Sequence, residues 1–401
     1  MTTTSAPSRR DTRIDVFRAL ALLTIFINHV PGTVYEYFTH KNFGFSDSAE
    51  AFVLISGIAI GLAYGSKFTP GNRLVMTLKA WRRAGVLYVT HMMTTVATLA
   101  IFAGASVYFA RPDLLKMINI QPVMDDTPRA LVGIATLGHQ LGYNNILSMY
   151  AAVMVIVPLF LLLANVSLRL TVALSGLVWL VAGVWKIAPP DYPTGGYWFL
   201  NPLSWQFLFV IGLAAMMHVR RGGEIVLKPW LAGAAAGYLT LSLLWVRLPL
   251  WGVDISLGLP AVLTGFDKTF LSLPRLLHVL ALAYLIAVIP TLSELARTRA
   301  DHPLAVLGKH SLPVFVAGTL LAMAAQVMKT VSPGGLLYDT VLISTGIALQ
   351  FALAYYLEWL PKIGWGARKS TSGEPARPMP MAPRPLAGKT PAVAPARSPV
   401  H

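Results

Sequence analysis

The sequence contains no cysteine, and only 12% of its 401 residues are charged. The missing thiols exclude disulfide frameworks, cysteine-bound zinc and cysteine nucleophiles. Charged residues normally make up about a quarter of a soluble domain. Their scarcity, together with 55% hydrophobic residues, indicates a polytopic membrane protein.

Acidic residues are the scarcest charges, with 17 of them against 32 lysines and arginines and a net charge of +15. The basic residues lie in loops and tails between apolar segments rather than in one patch. We therefore interpret them as topology determinants next to anionic lipid, and we expect membrane lipids but no nucleic acid as partners.

Apolar segments of membrane-spanning length predict an all-α polytopic membrane protein, a bundle of about ten transmembrane helices. The predicted spans are residues 16–34, 49–65, 84–110, 146–164, 170–187, 203–219, 230–247, 274–290, 311–329 and 340–360. With the N-terminus inside, 22 lysines and arginines fall on the cytoplasmic side and 9 on the other. Because cytoplasmic loops accumulate basic residues, both termini are predicted to be cytoplasmic.

Composition divides the chain into three regions. Residues 1–13 form a basic cytoplasmic N-terminus, and residues 14–362 form the transmembrane domain. Residues 363–401 are rich in proline, alanine and basic residues, which predicts a disordered cytoplasmic tail.

The first span carries ionisable residues that a lipid-facing helix would not tolerate, namely Asp15, Arg18 and His29. An 11-residue step closes to within about 20° of whole helical turns, so Arg18 and His29 share one face, roughly 16 Å apart along the axis. Asp15 lies on the same side of the helix. We expect Arg18 to hold an anionic donor and His29 to act as general base, unless the pair is only a snorkelling arginine and a satisfied histidine.

Asp47 and Glu50 open the second span. Capping of the helix N-terminus and compensation of its dipole explain acidic residues at this position. Glu50, which lies deeper, or Asp47 is also a candidate catalytic residue that orients the ring of His29, as carboxylates do in other histidine-based sites.

Further candidates for binding donor or substrate stand at the ends of other spans. Arg82, Arg83 and Tyr88 lead into the third span, where the arginines set topology or meet the phosphates of a nucleotide-like donor. Arg275 and His278 share a face at the outer entrance of the eighth span, where interfacial anchoring is the alternative.

Asn201, Trp205 and Gln206 begin the sixth span. The tryptophan suits the interfacial aromatic belt, and the two amides suit sugar hydroxyls. The other histidines show no ligand spacing, so we expect neither a metal nor a bound cofactor.

These residues resemble the OpgC family of inner-membrane succinyltransferases of osmoregulated periplasmic glucans, which is related to the acyltransferase-3 membrane enzymes. The resemblance rests on Asp15-x-x-Arg18, then His29, then Asp47-Ser48-Ala49-Glu50-x-Phe52-Val53-x-x-Ser56-Gly57. It continues through Arg83…Tyr88, Asn201-Pro202-x-x-Trp205-Gln206, Arg275-x-x-His278 and Gly308-Lys309-x-Ser311-Leu312.

The resemblance implies that residues 14–362 are an acyltransferase domain in the bacterial inner membrane. It implies succinyl-CoA as co-substrate from the cytoplasmic side and a periplasmic glucan as acceptor. His29 would serve either as base or through an acyl-histidine. Acyl transfer to another surface polysaccharide, or transport of glycans or small anions, remain the alternatives.

Overall fold

The structure is a computed structural model that describes residues 11–254 and 256–363, and the described chain is built from helices without a β-strand. The α-helices are α1 (Arg13–Asn28), α2 (Ser48–Tyr64), α3 (Arg73–Tyr108), α4 (Gln121–Asp125), α5 (Thr127–Ala135), α6 (Asn145–Val166), α7 (Leu168–Val184), α8 (Pro202–Arg220), α9 (Pro229–Arg247), α10 (Ala261–Thr264), α11 (Leu273–Val288), α12 (Pro290–Leu295), α13 (Pro303–Lys309), α14 (Ser311–Val331) and α15 (Leu336–Trp359). Short 3-10 turns cover Val34–Phe38, His40–Asn42, Pro70–Asn72, Pro112–Lys116, Gly142–Asn144, Leu250–Gly252 and Leu360–Ile363.

Each of the ten predicted spans falls on a helix of the structure. In the described chain, α3, α6, α8, α9, α14 and α15 are long and apolar enough to cross a membrane, and α2, α7 and α11 are shorter apolar helices. These helices are compatible with a multi-pass membrane protein. The count of about ten crossings, and the side on which the termini lie, remain predictions.

The helix boundaries depart from the predicted spans at two places. The third helix begins at Arg73, well before residue 84, because the basic segment in front of the apolar stretch continues the same helix. The first helix ends at Asn28 rather than near residue 34. Pro31 and Gly32 follow, and the positive φ of Gly32, +82°, turns the chain away. His29 therefore caps a helix terminus instead of continuing a helix.

Glycines allow α2 to pack directly on α8. A Cβ atom at Gly57 would lie 2.0 Å from the carbonyl oxygen of Phe209, and one at Gly212 would lie 2.3 Å from that of Leu54. The two backbones therefore touch, as small residues at helix interfaces allow. Contact of the same kind joins α13 to α1, since a Cβ at Gly308 would meet the carbonyl of Asp15 at 1.8 Å.

The chain divides into a unit that ends at Trp359 and a second unit from Leu360, and the fifteen described α-helices belong to the first. Its core is apolar, with Trp205, Phe209 and Leu161 among its fully buried side chains. Most of the predicted basic N-terminus and almost all of the predicted tail lie outside the described residues.

Candidate functional site

The ring of His29 is held by an aromatic neighbour. It stacks on Tyr143 with a centroid separation of 3.8 Å and an interplanar angle of 7°. The backbone carbonyl of His29 accepts a hydrogen bond of 2.7 Å from Nε2 of Gln326 on α14. Nδ1 of the ring is buried and has no hydrogen-bond partner within residues 11–254 and 256–363. Stacking and the helix terminus, rather than a carboxylate, thus fix the orientation of this imidazole.

A cavity of about 200 Å³ opens in front of His29. Its polar lining is supplied by Asn28, His29, Lys41, Asp47, Ser48, Tyr143, Asn145 and Lys268. Ile146, Phe199, Leu200 and Phe315 complete much of the apolar wall. A chamber of this size and polarity accommodates water or a hydroxyl-bearing fragment next to the imidazole.

Asp47 and Glu50 belong to a network of four charges with Lys268 and Arg275, in which Glu50 is fully buried and the other three are half-buried. Lys268 donates to Oδ2 of Asp47. Arg275 lies 2.5 Å from Oε1 of Glu50 through Nη2 and donates to the same oxygen through Nε at 2.7 Å. Its Nη2 also reaches Oδ2 of Asp47 at 3.4 Å. Two positive and two negative charges compensate each other in this network, as buried charges require.

The capping interpretation of these two carboxylates is also correct. Asp47 accepts from the backbone N–H of Ala49 at 2.8 Å, and Glu50 accepts from the backbone N–H of Asp47 at 3.0 Å. Together they form a capping box at the start of α2. The expected pairing of Glu50 with His29 does not form, because Arg275 and the cap occupy the carboxylate of Glu50. Asp47 shares the His29 cavity.

Lys268 enters the site from the segment between α10 and α11, and two of the candidate residues at the start of α8 hold that segment. Nε1 of Trp205 donates to the carbonyl of Lys268 at 3.0 Å, and the backbone N–H of Asn201 donates to the carbonyl of Thr269 at 3.2 Å. Gln206 hydrogen-bonds Ser175 on α7. All three residues are buried, and most of their described hydrogen bonds go to backbone atoms. Trp205 is therefore a core residue rather than part of an interfacial aromatic belt.

His278 holds the loop that leads into α2. Its Nδ1 lies 2.7 Å from Oγ of Ser46. A Cβ atom at Gly44 would lie 1.8 Å from Nε2 of His278, so the ring packs against the backbone of that loop. Arg275 and His278, which share a face of α11, therefore both act on the segment that carries Asp47.

A second cavity of about 250 Å³ surrounds the Arg18 end of α1. Arg18 and Arg83 both line it, and Ser56, Tyr64, Tyr150 and Ser311 add hydroxyl groups. Nη1 of Arg18 lies 3.6 Å from Oδ1 of the buried Asp15. Two guanidinium groups at one cavity are suited to an anionic ligand.

The remaining predicted donor residues lie apart from this cavity. Arg82 is exposed, unlike the half-buried Arg83 next to it. The hydroxyl of Tyr88 donates to the carbonyl of Ala135 at 2.8 Å, which ties α3 to α5. The structure thus brings Arg18 and Arg83 together and leaves Arg82 and Tyr88 outside both cavities.

Sequence reasoning did not select Tyr143, Lys268, Lys41 or Asn145. Tyr143 and Asn145 lie in the run YNNILSMY, whose asparagine and aromatic content is the one available signal. Lys268 looks like an ordinary loop charge until the fold places it beside Asp47. Among the described residues, no group of three or more histidines and carboxylates is arranged to hold a metal ion.

The apolar helices are compatible with a protein that crosses a membrane several times, and the bundle encloses a site that contains charged side chains. The sequence model of one family, described as OpgC protein, matches residues 10–362. The chain therefore belongs to the OpgC family. Membership suggests a transferase, specifically a glucan-modifying acyltransferase. No curated protein and no solved structure matched the chain.

Proposed function

We propose that the protein is an integral inner-membrane O-acyltransferase that moves a succinyl group from succinyl-CoA to hydroxyls of osmoregulated periplasmic glucans. One observation carries the proposal: Arg18 lies on α1 and His29 caps the end of α1, but the two residues line different cavities. An anion-binding cavity at one end and an imidazole at the other suit a donor and an acceptor that arrive from opposite sides.

The donor is held at the Arg18 end. Acyl-CoA is polyanionic, and Arg18 and Arg83 offer guanidinium donors in one cavity. With the N-terminus cytoplasmic, this cavity faces the compartment that contains acyl-CoA. Arg83 therefore contributes to donor binding, whereas the exposed Arg82 contributes mainly to topology.

The chemistry takes place at His29. The imidazole removes the proton from a glucan hydroxyl, and the hydroxyl oxygen attacks the thioester carbonyl carbon. The carbon–sulfur bond breaks, and the proton passes from His29 to the departing thiolate, which leaves as CoA. Tyr143 keeps the ring in place during both proton transfers.

Lys268 provides positive charge beside the reacting carbonyl. Its ammonium group carries three N–H donors, of which Asp47 accepts one. A second donor is therefore free to meet negative charge on the thioester oxygen or on the succinyl carboxylate. The network of Asp47, Glu50 and Arg275 serves to fix Lys268 rather than to orient His29.

Mass spectrometry of the glucans of a deletion strain tests the proposal. The strain is complemented with the wild type, with His29→Ala, or with His218→Ala, which removes an exposed histidine outside both cavities. We expect succinylated glucans with the wild type and His218→Ala and unsubstituted glucans with His29→Ala. Substituted glucans in the His29→Ala strain would contradict the role of His29.

The same spectra separate the alternatives. Unchanged glucans in the deletion strain, with acyl groups lost from another polysaccharide, would reassign the acceptor. Loss of glucan from the periplasm, without any change in its substitution, would favour transport.

A further inference from the structure

A layer of apolar side chains separates the two cavities. Ile146 of α6 and Phe315 of α14 line both of them. Phe52 of α2 lines the Arg18 cavity and stacks on Phe315, with ring centroids 6.1 Å apart and an interplanar angle of 28°. Ile146 and Phe315 are buried, at 5% and 4% exposure. Three side chains from three helices thus meet at one level of the bundle.

The residues that line each cavity on α2 and α6 place this layer at the same level on both helices. On α2, Asp47 to Ala49 line the His29 cavity, and residues from Phe52 onwards line the Arg18 cavity. On α6, Asn145 lies on the His29 side, Ile146 touches both cavities, and Leu147 lies on the Arg18 side. The boundary between the two cavities therefore falls between Ala49 and Phe52 on α2 and at Ile146 on α6.

The proposed reaction requires something to cross this layer. Arg18 and His29 are about 16 Å apart along α1, so a donor anchored at Arg18 reaches His29 only if its acyl end extends past the three side chains. The phosphates of the donor stay on the Arg18 side, because an apolar layer does not solvate a polyanion. The single carboxylate of the succinyl group crosses with the acyl chain and can pair with Lys268 on the His29 side. The acyl group is the part that must pass.

Resting on the proposed function, we infer that the layer of Phe52, Ile146 and Phe315 is the constriction that limits the size of the acyl group that is transferred. These residues touch neither the phosphates of the donor nor the attacking hydroxyl. They act as specificity-determining residues, and Phe315 is the central one because it lines both cavities and also stacks on Phe52.

The test measures acyl-chain selectivity with purified full-length protein and isolated glucan. The donors are malonyl-, succinyl-, glutaryl- and adipyl-CoA, and mass spectrometry counts each substituent on the glucan. The readout is the ratio of adipyl to succinyl transfer within each protein sample. This ratio does not depend on the fraction of protein that is folded.

Widening and narrowing variants should move the ratio in opposite directions. We expect Phe315→Ala and Phe52→Ala to raise the ratio about 10-fold or more, since one or two methylenes in an apolar site change selectivity by this order. Phe315→Trp should favour malonyl over succinyl transfer. Phe160→Ala is the matched control, because Phe160 is a buried phenylalanine on α6 that lines neither cavity.

The outcomes separate the two claims. Succinyl transfer by the wild type, with the ratio unchanged in the Phe315 and Phe52 variants, would overturn the constriction and leave the proposed function intact. A Phe160→Ala variant with the same shift as Phe315→Ala would also overturn it. Absence of transfer from every acyl-CoA by the wild type would overturn the proposed function and this inference with it.

Discussion

Tyr143 stacks on His29 with the two rings 3.8 Å apart and nearly parallel. The aromatic residue comes from the 3-10 turn Gly142–Asn144 in front of α6, more than a hundred residues away in the chain. The stack holds the imidazole over its cavity without any carboxylate at hydrogen-bonding distance in the described chain.

Tyr143→Leu should therefore impair catalysis, whereas Tyr143→Phe should keep the stack and most of the activity. An imidazole that loses its orientation costs on the order of 10- to 100-fold in kcat. Initial rates of acyl transfer by the two variants, at saturating acyl-CoA, provide the comparison. Equal rates for Tyr143→Leu and the wild type would show that the stack has no part in the reaction.

The ion pair of Arg275 with Glu50 should matter for stability. Arg275→Met leaves the fully buried carboxylate of Glu50 without its strongest partner, and breaking a buried pair in this way costs about 3–5 kcal/mol. The double variant Arg275→Met/Glu50→Gln removes both charges and should regain part of the loss.

Thermal unfolding in detergent measures this coupling. We expect the lowest Tm for Arg275→Met alone and a partial recovery for the double variant. Strictly additive losses would mean that the two side chains do not stabilise each other in the folded protein.

The contact of α2 with α8 should not tolerate a larger residue. Gly57→Ala places a Cβ 2.0 Å from the carbonyl oxygen of Phe209, so the helices must separate, at a cost of about 1–3 kcal/mol. Gly237→Ala is the control, because a Cβ on that glycine of α9 meets no atom within 4 Å.

The difference in Tm between these two alanine variants is the measurement. Gly237→Ala should be neutral or slightly stabilising, since alanine favours helices over glycine. A Gly57→Ala variant as stable as the wild type would contradict the direct contact between the two backbones.

The neighbouring arginines of α3 should differ in their effect on donor binding. Arg83→Gln removes a guanidinium from the Arg18 cavity and should raise KM for succinyl-CoA about 10-fold, the effect of losing one hydrogen bond to a charged group. Arg82→Gln removes an exposed charge and should change KM little. Equal KM values for both variants would place the donor elsewhere.

The sequence predicted the helical architecture well because the length of an apolar segment is a local signal. It predicted the cap at Asp47 for the same reason. The early end of α1 after Asn28 could also have been predicted, since Pro31 and Gly32 follow within four residues. The hydropathy of Val30 and its neighbours extended the predicted span past that turn.

Partners of the buried charges could not be predicted from the sequence. Glu50 is 225 residues from Arg275, and no local pattern says whether it pairs with that arginine or with His29. Lys268 and Tyr143 reach the site from segments between helices, whose paths depend on the complete packing. Arg82 and Arg83 look equivalent in sequence. Only the orientation of α3 in the folded protein directs Arg83, and not Arg82, towards the Arg18 cavity.

Transfer of label from acyl-CoA to glucan by the purified protein tests the central claim most directly. The protein in detergent is incubated with succinyl-CoA labelled in the succinyl group and with unsubstituted glucan, and His29→Ala is treated in parallel. We predict labelled glucan and an equal amount of free CoA with the wild type, and neither above background with a folded His29→Ala variant. Labelled glucan at the wild-type rate from His29→Ala would contradict the account.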